Sequence, residues 1–136
     1  LPTLRVTVLC LALVAGLAAG SQALVQAVNA TPPAAAQAQN PVPAEQASVD
    51  RGERVYRANC ASCHGPDGDG DGPTSAAMPP APRHLAEVVP QQTDGELAYR
   101  IANGLSGTAM PGFAATLSET DRWDLVNYLR HRWDDR

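Results

Sequence analysis

The chain opens on an apolar stretch, Val6–Ala19, behind a single positive charge at Arg5. At fourteen residues it fits the hydrophobic region of a secretory signal better than a membrane span, which needs about 20 residues. Ser21-Gln22-Ala23 and Val28-Asn29-Ala30 come next as sites acceptable to a signal peptidase. Apolar character resumes at Ala23-Leu24-Val25, so an anchor and possible membrane tether over 6–25 is the alternative. Residues 1–30 are therefore read as a signal peptide or N-terminal membrane anchor, and both readings export the rest of the chain. Cys10, preceded by the bulky Leu9, is read as one more apolar residue of that segment.

Beyond it the pattern changes twice. Residues 31–47, TPPAAAQAQNPVPAEQA, hold a single charge among Ala, Pro and Gln. That composition predicts a semi-stiff linker, reaching roughly 50 Å if extended. From Ser48 the spacing becomes helical: Gly52, Val55, Tyr56 and Asn59 recur at i, i+3, i+4 and i+7. A second helix is opened by the capping box Thr93-Asp94-Gly95-Glu96, carries Leu97 and Ile101 one turn apart, and meets Gly104 at its end. A third starts at Ser118 with Asp121 three residues on, and presents Leu125, Val126, Leu129 and Trp133 on one face. Arg130, His131 and Arg132 fall in its last turns, where positive charge suits the helix dipole. No run alternates as a strand does, so residues 48–136 are predicted to form an all-α domain.

Composition narrows the function. The 89 residues from Ser48 onward give a thin core, and domains of that size usually need a metal, disulfide or cofactor as a staple. There is no lysine, and from Glu45 nine arginines face fourteen acids, for a net charge of −5. Such a balance without a basic run argues against nucleic-acid binding. Three cysteines are too few for a disulfide framework. Between the first and second helices lie about 30 residues rich in Gly and Pro, 65–92, a loop too long for so small a domain unless it wraps something.

Cys60-Ala61-Ser62-Cys63-His64 supplies that something. C-x-x-C-H is a haem-attachment signature: two thiols three residues apart on one helical turn reach the two vinyl groups of one haem. His64, the next residue, then faces the iron. A zinc site would need about four ligands, and no good fourth accompanies these three. A thioredoxin-like redox pair expects a βαβ setting that is absent. For the sixth coordination position Met110, Met78 and His84 compete. Met110, in Gly107-Thr108-Ala109-Met110-Pro111-Gly112-Phe113, leads because its segment is too broken by Gly and Pro for core packing. Asp67-Gly68-Asp69-Gly70-Asp71-Gly72 imitates the start of a calcium loop, but its twelfth position is Met78 and not Glu, so a flexible acidic loop is the reading.

Taken in order, Gly52…Tyr56, CASCH, Ile101-Ala102-Asn103-Gly104…Met110-Pro111-Gly112-Phe113 and Leu117-Ser118…Trp123…Tyr128-Leu129 resemble a class I monohaem cytochrome c of the bacterial periplasmic type. The resemblance covers about residues 48–133. It implies a compact fold of three main helices and long loops around one covalent haem c, with the terminal helices crossing at Gly52. It also implies His64 and Met110 as axial ligands, a pair that raises the reduction potential. Within 65–87 it implies that Arg83 faces a haem propionate and that a proline carbonyl holds the His64 imidazole. Pro79, Pro80 and Pro82 compete for that role, with Pro80 among the candidate site residues.

With both axial positions filled, outer-sphere electron transfer is the function expected, not substrate chemistry. The reading is a periplasmic one-electron carrier between a quinol-oxidising complex and a terminal oxidase or reductase. The alternatives are a dedicated cytochrome c subunit of a periplasmic oxidoreductase complex and a gas-binding haem protein. Lacking lysine, the chain is expected to meet partners through arginines or apolar contact.

Overall fold

The computed structural model describes residues 20–134, in two compact units, Leu1–Ala30 and Thr31–Arg136. In the first, residues 20–28 are helical, with Leu24, Val25 and Val28 exposed. The apolar run Val6–Ala19, and Cys10 with it, lies outside the described residues. No helix among the described residues is long and apolar enough to cross a membrane.

The second unit is helical, with no strand among the described residues. Its elements are α1 (Pro33–Ala36), α2 (Gln46–Asn59), α3 (Ala61–His64), α4 (Leu85–Val88), α5 (Asp94–Asn103) and α6 (Glu119–Trp133), with 3₁₀ turns at Ser75–Ala77 and Val89–Gln91. The predicted capping boxes are both present. Thr93 accepts from the Glu96 N–H while Glu96 accepts from the Thr93 N–H, and Ser118 and Asp121 do the same for α6. Each pair satisfies two N–H groups that a helix start otherwise leaves orphaned.

α2 crosses α6 at Gly52, where a Cβ would overlap the Asp124 carbonyl and the Tyr128 side chain. Around that crossing Val49 and Tyr56 of α2 meet Trp123, Leu125, Val126, Tyr128 and Leu129 of α6, and Leu97 and Ile101 of α5 close the core with Val89. Tyr56, Tyr128 and Trp133 stack at centroid distances of 5.4 to 5.8 Å.

α6 is buried on more than one stripe. Every residue from Trp123 to Leu129 is buried, including Asp124 and Asn127, so this helix is walled on all sides. Residues expected as a free linker provide one of the walls. Asn40 Nδ2 donates to the Trp123 carbonyl at 3.0 Å and to Asn127 Oδ1 at 2.8 Å, and Val42 packs against the core. Asn127 Nδ2 donates in return to the Val42 carbonyl at 3.1 Å and to Ser48 Oγ at 2.8 Å. The linker reading of 31–47 is thereby corrected. Little apolar area is needed when the chain's own polar groups, presented by Asn40 and Asn127, find partners on the domain.

Asp124 is the most deeply buried charge. It accepts from Ser48 Oγ at 2.5 Å and from Arg51 Nε and a terminal guanidinium nitrogen at 2.6 and 2.9 Å. Burial alone pushes its carboxyl up, but the hydrogen bonds from Arg51 and Ser48 outweigh that and hold it below the ordinary range.

Candidate haem-attachment site

α2 runs directly into the C-x-x-C-H segment. Cys60 is its C-cap, with its N–H on the Tyr56 carbonyl, and the Cys63 and His64 N–H groups both return to the Cys60 carbonyl at 3.1 and 2.9 Å. That single turn brings Cys60, Cys63 and His64 together. Cys60 is half-buried, and the burial of its thiol, reinforced by Cys63, pushes it up to about 12. Burial lowers the His64 imidazole, which keeps it neutral with a lone pair free for a metal.

A four-residue helix leaves its carbonyls exposed, and here the following loop takes them all. Gly65 N–H donates to Ala61, Thr74 N–H and Oγ1 to Ser62, Gly72 N–H to Cys63, and Gly70 N–H to His64, at 2.7 to 3.2 Å. The approach is close enough that a Cβ on Gly72 would overlap the Ser62 carbonyl. At the turn itself Gly65 has φ +79°, and its carbonyl accepts from the buried Tyr56 hydroxyl at 2.7 Å. This corrects the flexible reading of 67–72. The acidic side chains there diverge, Asp67 to Arg132 at 2.8 Å and Asp69 towards His84 at 3.8 Å, so they form no calcium cage.

Met110 is carried on a second closed loop. Gly104, at φ +73°, ends α5 where a Cβ would collide with Met110 and Pro111 backbone. Leu105 N–H donates to the Met110 carbonyl at 3.2 Å, Met110 N–H to Thr108 Oγ1 at 3.1 Å, and Phe113 N–H to the Ile101 carbonyl at 2.9 Å. These bonds pin a half-buried methionine at the end of α5. Met78 is also half-buried, next to the Ser75–Ala77 turn.

The remaining candidates lie apart. Arg83 is exposed and forms no ion pair among the described residues, and Pro80 is exposed, following a cis Pro79–Pro80 bond. His64 Nδ1 is buried and has no hydrogen-bond partner among the described residues, so no proline carbonyl reaches it; that of Pro82 lies against Gly70 instead. One residue escaped the sequence reading. Arg100 Nε is likewise buried without a partner, on the helix that delivers Met110. An arginine on a partly apolar helix face gives no signal of this before its surroundings are known.

Two thiols and an imidazole on one turn, an orphaned imidazole nitrogen and an orphaned guanidinium nitrogen suit a haem with its vinyl groups, iron and propionates. Residues 47–129 match the family described as cytochrome c oxidase, cbb3-type, subunit III. The chain belongs to the class I monohaem cytochromes c. Cytochrome c6 of Pyropia tenera is 34% identical over 85 residues, covering 61% of this cytochrome and 91% of the relative. The cytochrome c subunit of alcohol dehydrogenase (quinone) from Gluconobacter oxydans is 37% identical over 89 residues, 60% of this chain but 18% of that protein. Among solved structures, a chain of the Kuenenia stuttgartiensis reducing HAO-like protein complex matches with a TM-score of 0.58 and 27% identity over 67% of this cytochrome. The cytochrome spans less than half, 46%, of that chain. It is accordingly an electron-transfer protein with covalently attached haem c.

Proposed function

We propose that Cys60 and Cys63 hold the haem by thioethers, that His64 and Met110 ligate its iron, and that the chain is a periplasmic one-electron carrier. The observation that carries this is the C-x-x-C-H turn, in which the adjoining loop caps the carbonyls of Ala61 to His64 while the half-buried His64 keeps a buried Nδ1 without a partner among the described residues. When bound, the haem supplies a site that gains or loses one electron with no change of ligands. The residues do the rest. The 65–74 loop fixes His64, the Gly104–Phe113 loop fixes Met110, and the thioether of a His/Met pair favours the ferrous state. Arg83, exposed and without an ion pair among the described residues, and Arg100, with its buried N–H lacking an acceptor, supply charge for the two propionates.

On this reading the donor is a quinol-oxidising complex, the acceptor a terminal oxidase or reductase, and the chain catalyses no substrate reaction. The Gluconobacter relative, a subunit of a dehydrogenase, supports the second reading of a dedicated subunit in an oxidoreductase complex. Expression with a haem-maturation system, then haem staining of denatured protein, tests the attachment. Cys60→Ala with Cys63→Ala must lose covalent haem, and Met110→Ala must change the ferric spectrum while keeping it. Colourless product from the parent chain would overturn the reading.

A further inference from the structure

Residues 31–43 lie along the outer side of α5. Thr93 Oγ1, at the start of that helix, donates to the Ala36 carbonyl at 2.6 Å. Gly95, in the first turn, is buried beneath the strap, and a Cβ there would overlap the Ala35 carbonyl and crowd the Ala38 backbone. Ala35 and Ala38 then share a cleft of about 170 Å³ with Ala98, Ala102 and Trp123, so the small residues of α5 face the strap on one side and α6 on the other. Asn40 and Asn127 fasten the far end through four hydrogen bonds between strap and α6. α5 is thus held between two walls, and at its other end it passes through Gly104 straight into the Met110 loop, which bonds back to the Ile101 and Ala102 carbonyls.

We infer that this N-terminal strap is a positioning element for the sixth iron ligand: docked, it fixes α5 and keeps the Met110 loop closed on the haem. The inference rests on Met110 being that ligand. A loosely held α5 lets the loop open locally, and an outside ligand then competes for the iron. The strap therefore protects the site from intruding ligands without touching it.

The test uses the full haem-loaded chain and two substitutions acting from opposite sides. Gly95→Ala places a methyl group in the strap's path. Were the strap not docked, the same change in the first turn of a helix would be neutral or stabilising. Asn40→Asp sets a carboxylate against the Trp123 carbonyl and Asn127 Oδ1, leaving the domain unaltered. Readouts are amide hydrogen exchange of residues 31–45, the affinity of the ferric protein for imidazole, and the sulfur-to-iron charge-transfer band. Leu125→Val, a core change that removes none of the strap's hydrogen bonds, controls for lost global stability. Both strap variants are expected to speed exchange across 31–45 and to tighten imidazole binding on the order of tenfold, with the Leu125→Val control within about twofold of the parent. Fast exchange of 31–45 in the parent, or faster exchange in the variants with unchanged imidazole affinity, overturns the inference. Met110→Ala separates the two levels. If it leaves the band and imidazole affinity unchanged, the ligand assignment itself fails and the inference falls with it.

Discussion

Replacing Asp124 by Asn probes how α2 and α6 are joined. The substitution preserves volume, so no cavity contributes, and the loss is electrostatic. Asp124 accepts one hydrogen bond from Ser48 and two from Arg51. An amide can accept on one side only, and turns a donor toward Ser48 or Arg51 on the other. A hydrogen bond to a charged group is worth about 1.5–3 kcal/mol. The Arg51 side chain is 44% exposed, so its share is screened, and water solvates it when the partner is lost. The bond from the buried Ser48 therefore sets the expected destabilisation, about 1.5–3 kcal/mol at neutral pH. Its pH dependence comes from the depressed carboxyl. A group titrating lower in the folded state contributes stability fully above its unfolded pKa, near 4, and loses it as pH falls through the lower folded value. Guanidinium unfolding of parent and variant, monitored by helical circular dichroism between pH 7 and pH 3, should show a gap that is widest at neutral pH and closes in acid. A gap that stays constant with pH, or grows as pH falls, refutes the reasoning.

Other expectations are simpler. Gly52→Ala forces α2 and α6 apart and should destabilise by about 1–3 kcal/mol despite better helix propensity, read as a lower denaturant midpoint. Tyr56→Phe leaves the buried Gly65 carbonyl without its donor and should cost about 1–3 kcal/mol, with covalent haem yield unchanged by staining. Gly72→Ala collides with the Ser62 carbonyl beneath the attachment turn, so its mature haem protein should accumulate to a lower level than the parent at equal expression.

The parts of the fold legible in the sequence are those whose cause is local. Thr93/Glu96 and Ser118/Asp121 define their helix starts by three-residue spacing, and Gly104 ends α5 because its φ is positive, so each could be read from neighbours alone. Cys60, Cys63 and His64 were legible for the same reason, since one helical turn brings them together. The features that escaped depend on long-range partners. Asp124 and Asn127 look like the polar side of α6 until Ser48, Arg51 and Asn40 arrive from more than seventy residues away. The strap looked unstructured because Ala, Pro and Gln give it few large apolar side chains, whereas backbone carbonyls and one asparagine dock it. Val89 lay unremarked in a stretch read as loop, yet it is fully buried. Pro80 came from resemblance, and the carbonyl contact that it implies is not formed at His64.

The attachment turn and the loop behind it also divide the surface into editable and uneditable chain. Between Gly65 and Thr74, each added or deleted residue shifts an N–H away from the carbonyl it must reach on α3, so this span has a fixed length. Past the Ser75–Ala77 turn, Pro79 to Ala81 point outward and owe nothing to that ladder. A peptide tag or labelling site for tracking the cytochrome therefore belongs among the exposed residues 79–81, and not within 65–74.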